Sequence, residues 1–599
     1  MAMGEVAVFW GTIPSIGRTR MVMNHARLVL TVLLCGLTGC MSPGTSRLQS
    51  EDTEATAPGE TRLVGDITSF ANAGPIQVSG VGLVINLDGT GGSTPPGTYR
   101  NMLEQELKKR GIDNFRELID SKNNALVLVS GEIPAGARKG DRIDLDVTLP
   151  TGSKATSLRG GYLAETVLVD FNTSENLAPQ SAAVRGNKLL LGDELVVAEG
   201  PLMPGIRKEK ADDQETLVGV DASQPIKKAQ LWSGGRIKSD RLMYVALNTG
   251  HQRYAESVRV GNRLNDTFSG TLAGVDKMAE PKTKEVVTLK VPQHYRQNLA
   301  RYMRVVRMVP LSPVPDGADY RRNLQMQLQD PATCMVAALK LEALGASSVP
   351  LLEAALRNES PLVRFAAAEA LTYLGRTSGV DELGAIAMTE PTLQAYCLTA
   401  LSSLDEAKCH AKLQELLTCE VSEVRYGAFR ALQTLDSNNE MARGEKLNET
   451  YFLHELAPDS KGMVHVLTSH RPEVVVFGRT PKLVAPFSYA IGNDFTLTAG
   501  LNDSKITISR FSVNKGQKQV QCGYEVGEVI RTLASLEASY SDILDLLSQA
   551  NRCKSLNCPL AVDALPKAAS VKAIAERGKV SGLPNPDAPE DGTDTQANQ

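Results

Sequence analysis

Between residues 322 and 440 the sequence repeats itself, and this repeat constrains the fold more than any other stretch. "DPATCMVAALKLEALG" from 330, "SPLVRFAAAEALTYLG" from 360, "EPTLQAYCLTALSSLD" from 390 and "VSEVRYGAFRALQTLD" from 421 are variants of one pattern. Leu341, Leu371, Leu401 and Leu432 fill one register, and Leu344, Leu374, Leu404 and Leu435 another, at offsets of 30, 30 and 31 residues. A shorter amphipathic segment, such as residues 349–356, precedes the next copy, so the unit is a pair of helices. One pair cannot bury its own apolar stripe. Stacked copies can, and the product is an all-α solenoid with a continuous core and an extended outer surface.

The pattern resembles short HEAT-like repeats, which implies that the surface binds a partner, here unknown. Both flanks of the repeat read as β-structure. Residues 142–149 alternate polar and apolar, as a strand with one wet face must, and residues 125–129 are apolar on both faces and so belong in the centre of a sheet. Residues 134–140 supply a turn between them. The helix beginning near Tyr99 carries Leu103 and Leu107 on the same face, and it ends at Gly111 with Lys108, Lys109 and Arg110 in its last turn. After the repeats, "VVVFGRT", "LVAPFSYAI" and "KITISRFSV" read as strands. Two amphipathic helices follow, one with Val526, Val529, Ile530, Leu533 and Leu536, the other with Ile543, Leu544, Leu546 and Leu547. The fold class is therefore α+β, with strand-rich domains at 61–312 and 463–566 interrupted by an inserted all-α solenoid at 322–440. Residues 567–599, with a short helix after Pro566, are expected to be mostly disordered tail.

The N-terminus carries an address. Arg18, Arg20 and Arg27 precede a ten-residue apolar run at 28–37, too short to span a bilayer and suited to the core of an export signal. The run ends in Leu37-Thr38-Gly39-Cys40, which resembles the lipobox of bacterial lipoproteins and makes Cys40 the expected lipid attachment site. Residues 1–39 are then the signal peptide, with translation able to start at Met21 or Met23, and residues 40–60 a disordered tether rich in Ser, Thr, Pro, Gly and Glu. Met41 in place of an aspartate would permit outer-membrane sorting. The membrane is reached only through the lipid. Net charge is −4, and removal of residues 1–39 takes three arginines and Glu5 with it, leaving −6. No basic cluster is interleaved with aromatics, so nucleic acid is excluded as a partner.

The segment Asp88, Gly89, Thr90, Gly91, Gly92 lies between an apolar strand and a helix, the setting of a phosphate cradle. A dinucleotide loop would need glycine where Ile85 stands, and a P-loop would need Gly-Lys-Ser/Thr where the chain reads Gly91-Gly92-Ser93. What is left is a faint likeness to the phosphate loops of actin-like ATPases, against the plain reading of a tight turn. No His-Glu-x-x-His, Cys-x-x-Cys or Gly-x-Ser-x-Gly occurs. Cys397, Cys409, His410 and Cys419 lie near one another in sequence, but Cys397 falls on the Ala/Leu face of a repeat, where a free thiol acts as a small hydrophobe. Cys553 and Cys558, five apart in an exported chain, are expected to form a disulfide. No catalytic constellation, metal set or cofactor site emerges, and the chain does not read as an enzyme.

"GVGLVINLDGTGG" and the helix with "NMLEQELKKRGI", then "KNNALVLVSGEIPAGARKGDRIDLDV", then "SLRGGYLAETVL" from Ser157, resemble in order the N-terminal half of the flagellar basal-body P-ring protein family. "VVAEGPLMPG" and "GGRIKSDRL" continue the likeness, and "VVVFGRTPKLVAPFSYAIGNDFTLTAGL" with the last helix pair resembles the family's C-terminal segment. The resemblance implies a structural subunit that assembles with itself into a periplasmic ring, a bushing around the flagellar rod beside the neighbouring basal-body rings, for motility. It also implies that the glycine turn is structural and holds no nucleotide. Ser157, Leu158, Arg159, Gly160 and Gly161 form the most specific motif, and residues 143–168 are expected to build the contact between subunits, with Arg159 foremost. Two features depart from the family: the lipoprotein signal and the inserted repeats, which are expected to be a separable docking arm. They leave open an alternative, a lipid-anchored periplasmic scaffold whose repeats recruit a partner outside any flagellar ring.

Overall fold

The computed structural model describes residues 61–569 apart from gaps, the longest at 171–193, 220–225, 269–276, 313–317 and 437–441. Cys40, the tether and the tail from 570, with its expected helix, lie outside the described residues. After a first short strand, β1 (Thr68–Ala71), the chain enters a barrel. Its strands are β2 (Ile76–Ile85), β3 (Ala125–Ile133), β4 (Arg142–Thr148), β5 (Tyr162–Asp170) and β6 (Val196–Pro201), then, beyond β7 (Met203–Pro204) and a hairpin of β8 (Arg207–Ala211) and β9 (Gln214–Gly219), β10 (Lys228–Ile237). The order is β4-β3-β2-β5-β6-β10, and β10 pairs back onto β4, so six antiparallel strands close on themselves. The sequence alternation explains the two faces. In β4, Ile143, Leu145 and Val147 are buried in the barrel while Arg142 and Asp146 are exposed. β3 is buried on both sides, because Val127 and Val129 point inward while Leu126 faces helix α1 (Thr98–Lys109). That helix covers the outer face with Leu103 and Leu107, and stops where Gly111 takes φ +75°. Tyr99 does not join the stripe and is 48% exposed, since the apolar patch of Leu83, Leu126, Phe115 and Ile119 is gathered under Leu103 and Leu107.

β1 pairs with β11 (Met243–Leu247), followed by β13 (Val286–Leu289) and β12 (Ala279–Pro281), in a second, antiparallel sheet. Helices α2 (Tyr254–Phe268) and α3 (Leu299–Met308) pack on it through Val260, Leu264, Tyr302, Val305 and Val306. The helical run follows as α4 (Ala318–Gln329), α5 (Cys334–Ala343), α6 (Val349–Ala355), α7 (Pro361–Tyr373), α8 (Val380–Thr389), α9 (Gln394–Leu401), α10 (Ala407–Leu416) and α11 (Ser422–Leu435). The first leucine register is fully buried, Leu341, Leu371, Leu401 and Leu432, while the second, Leu344, Leu374, Leu404 and Leu435, is half-buried at the helix ends.

The solenoid is not a separable arm. One apolar core runs from Val64 and Met243 through all the repeats to Val475 and Phe477. At its start, α3 inserts Arg301 between two repeat helices: Nη2 lies 2.5 Å from Glu342 of α5 and Nη1 2.5 Å from Glu369 of α7, all three being 2% exposed. Tyr295 donates to Glu342 at 2.5 Å, and its ring stacks on that of Tyr373, over which the Arg301 guanidinium also lies. Burial pulls Arg301 towards the neutral form, and the two carboxylates more than offset it, so its net shift is upward.

The C-terminal sheet begins at β14 (Glu445–Leu447), earlier than the expected 463, and continues with β15 (Tyr451–Leu456), β16 (Met463–Val466) and β17 (Glu473–Phe477). β18 (Phe487–Ile491), β19 (Phe495–Ala499), β20 (Ile506–Ser512) and β21 (Gly516–Cys522) form an antiparallel meander. Helices α12 (Val526–Ser535) and α13 (Tyr540–Arg552) bury every apolar residue that the sequence assigns to them, and β22 (Leu560–Val562) adds to the edge of the first sheet in the order β14-β15-β17-β16-β22. A capping box of Ser539 and Asp542 starts α13. The C-terminal part returns to the barrel: Trp232 of β10 meets the Tyr540 ring edge-on at 5.9 Å.

Candidate assembly surface

The two motifs that stand out in the sequence interlock. Thr90 Oγ1 donates to the Ser157 carbonyl at 2.9 Å, and the N–H of Thr156 donates to the Thr90 carbonyl at 2.8 Å. The glycine turn offers nothing to a phosphate. The N–H of Gly89 goes to Asn123 Oδ1, those of Gly91 and Gly92 to the carbonyls of Lys122 and Asn124, and that of Thr90 to Leu87. A cradle needs those donors free. The glycines are required for close approach: a Cβ at Gly91 would run into the Asn124 carbonyl oxygen, and one at Gly92 would lie 2.9 Å from the carbonyl carbon of Lys154. Asp88 and Gly89 take φ of 43° and 85° to make the turn.

The second motif is braced in the same way. Ser157 Oγ accepts from the N–H groups of Arg159 and Ile226, the N–H of Leu158 donates to the Ile226 carbonyl, and Leu158 itself is 1% exposed. Gly160 takes φ +72°, and a Cβ on Gly161 would stand 2.5 Å from Val84 Cγ1. Arg159 lies half-buried between Leu158 and these two glycines. Of residues 143–168, β4 is paired on both sides, by β3 and β10, and so is β5, by β2 and β6. A closed barrel has no edge to offer. The parts of this segment able to meet another molecule are thus the outward side chains and the loop at 149–161. Sequence reasoning missed Asn123, Asn124 and Ile226, the partners of both turns; the Asn-Asn pair before β3 was the available signal, since Asn favours turns.

The cysteines stand apart. Cys397 and Cys409 are buried thiols raised by burial, Cys409 to about 11, and His410 Nε2 lies 2.8 Å from Asp405 rather than with them. Cys419 is half-buried. Cys553 and Cys558 are free thiols, contrary to the expected disulfide. Cys553 is exposed at the C-cap of α13, whereas Cys558 packs against the C-terminal core, where burial raises it to about 11, so the two face different environments.

Residues 63–318 match the family model described as flagellar P-ring protein. That block is similar to the flagellar P-ring proteins. The chain is 27% identical to the flagellar P-ring protein of Oleidesulfovibrio alaskensis over 264 residues, 43% of this chain and 62% of that protein. It is 27% identical to the one from Thermotoga maritima over 258 residues, 42% of this chain and 68% of that protein, and 26% identical to that of Rhodopseudomonas palustris over 258 residues. The P-ring block holds the barrel, the second sheet, α3 and both interlocked turns, and it ends at residue 318, where α4 begins. The C-terminal likeness lies outside the matched residues.

Proposed function

We propose that this chain is a structural subunit of the flagellar basal-body P ring, assembling with copies of itself around the rod, in the periplasm, without catalytic activity. The observation that carries the reading is that the match to the flagellar P-ring family model takes in the whole closed barrel and the second sheet and ends at the first helix of the repeats, although the two share a core. A turn pair whose backbone donors are internally satisfied suits a rigid building unit and leaves a nucleotide no purchase. Among the described residues no helix is long and apolar enough to cross a membrane. The membrane link proposed for the chain is the lipid on Cys40, carried by the Leu37-Thr38-Gly39-Cys40 box. The rod and adjoining rings are the proposed partners of the P-ring block, and a further envelope component that of the solenoid.

The loop carrying Arg159 is the proposed contact with the next subunit. Arg159 follows a buried leucine and precedes Gly160, which is exposed with open space around it, so a neighbour could approach closely, and a planar guanidinium suits a carboxylate or carbonyl there. A closed ring needs every heterologous contact at once, which multiplies a small defect. Arg159→Ala should give a folded, protease-resistant monomer absent from purified basal bodies. Normal rings, or simple unfolding, would remove Arg159 from this role. For the reading as a whole, basal bodies imaged from cells with and without the chain should differ by one ring.

A further inference from the structure

A cleft of about 560 Å³ opens where the barrel, the solenoid and the C-terminal sheet meet. Its lining includes Arg142 of β4, Arg430 of α11 and Arg471 from the connection between β16 and β17. The barrel side is shaped by a bulge in β10 between Leu231 and Gly235, which places Ser233 in the left-handed region at φ 51°. Asp144 Oδ1 accepts from the Ser233 N–H at 2.7 Å, and Arg142 Nη1 donates to the Ser233 carbonyl at 3.0 Å. The acidic lining residue is therefore occupied with the bulge, while the remaining N–H groups of Arg142 have no protein partner among the described residues.

The other two arginines are similarly under-used. Arg471 is exposed and makes no hydrogen bond or ion pair within the described residues. Arg430 commits Nη1 to Gln433 and approaches the buried Glu473 carboxylate at 3.5 Å, which leaves its other donors unengaged there. Counting Glu473 behind the wall as well as Asp144, the three guanidiniums still leave the site positive, in a chain whose net charge is −4. Three parts of the chain distant in sequence thus bring cations together against the overall charge, beside apolar side chains such as Leu398 and Leu467 that lower the local dielectric.

We propose that this cleft binds an anion through carboxylate or phosphate oxygens, and that the bound anion ties the three blocks together. Guanidinium forks suit both oxygen types. A ligand that binds only the assembled junction stabilises it in proportion to its saturation. The test uses the full mature chain, titrated in thermal unfolding with inorganic phosphate in one arm and glutarate in the other, at constant ionic strength with chloride as control. The expected result is a saturable rise of the midpoint in at least one arm. The half-saturating concentration should rise by about tenfold or more in Arg142→Gln and in Arg471→Gln, the loss of about one charge-assisted contact each. It should be unchanged in Arg552→Gln, at an exposed position on α13. The proposal is overturned if neither anion saturates above the chloride control, if the two cleft variants bind as the wild type does, or if Arg552→Gln weakens binding equally. Because the midpoint without ligand is read in every variant, a folding defect shows itself separately.

Discussion

Replacing Arg301 by methionine tests whether the solenoid and the P-ring block are one cooperative structure. Methionine keeps most of the volume and removes the charge. Glu342 and Glu369 then share a dry site, with the Tyr295 hydroxyl as the one remaining donor seen on Glu342. Breaking a buried pair by deleting one partner costs about 3–5 kcal/mol, because the other charge is left uncompensated. Burial already outweighs Arg301 in raising Glu369 above the usual carboxylate range, and loss of the arginine removes the main attraction that opposes that rise. Against a typical stability of about 5–15 kcal/mol the cost of the broken pair is a large share.

The assay is guanidinium unfolding followed by two probes. Trp232, the one tryptophan after residue 39, reports the barrel at its contact with Tyr540, and far-ultraviolet circular dichroism reports the helices. In Arg301→Met both midpoints should fall together. A fourfold variant, Arg301→Met with Glu342→Leu, Glu369→Leu and Tyr295→Phe, should recover most of the loss, since apolar replacement of a whole buried network is often neutral or better. The reasoning is refuted if the loss is under about 1 kcal/mol, below any cost expected of a broken buried pair. It is refuted equally if the dichroism midpoint falls while that of Trp232 stays at the wild-type value, since the helices would then unfold as a module of their own.

Three further outcomes follow from particular sites. His465, stacked on Tyr426 at 4.0 Å between ring centroids and buried, is held down to about 4 chiefly by desolvation. The unfolded chain binds that proton below about 6.5 and the folded one only near 4, so stability is complete above 6.5 and falls by about 3 kcal/mol as pH drops to 4; His465→Phe should flatten the pH dependence of the urea midpoint by about one proton, and an unchanged slope would refute the assignment. Gly91→Ala should lose about 2–3 kcal/mol by overpacking onto the Asn124 carbonyl, whereas Gly89→Ala, strained in φ but open in space, should lose about 1, as read by thermal unfolding; equal losses would count against the close-approach argument. Cys40→Ser should leave the membrane fraction and accumulate as precursor, and failure of labelled palmitate to enter the wild-type chain would dismiss the lipid anchor.

How much of this was legible from the sequence depends on the range of the interaction. The leucine registers, the alternation of β4 and the stop of α1 at Gly111 are local patterns, and all reappear as read. Barrel closure is not local. The pairing of β10 with β4 joins segments some ninety residues apart, and nothing in either strand names its partner. The role of Arg301 left a faint trace: Glu342 and Glu369 sit among the Ala and Leu of the repeat faces, and a carboxylate in such a stripe must find a cation. That rule does not identify which cation. The expected disulfide rested on spacing alone, and a spacing of five residues says nothing about which way each thiol turns: Cys553 is exposed, while Cys558 packs half-buried against the C-terminal core.

The attachment of the solenoid at both ends limits how it can work. A docking arm on a hinge could sample positions and find a partner anywhere within its reach. Here α3 anchors the first repeats through Arg301, and the last repeat is fixed to the C-terminal sheet, where Tyr426 donates to Glu473 and Arg425 to Ser460 and the Lys461 carbonyl. That sheet shares a core with α13, whose Tyr540 meets Trp232 on the barrel. The path from barrel through second sheet, solenoid and C-terminal part thus returns to the barrel, and no link in it is a bare linker among the described residues. Moving the repeats would require breaking a buried ion pair or parting an apolar interface, each a cost of several kcal/mol. A partner bound to the solenoid surface is therefore held at a fixed place relative to the P-ring block, and in a ring of such subunits it would be presented with the ring's own symmetry.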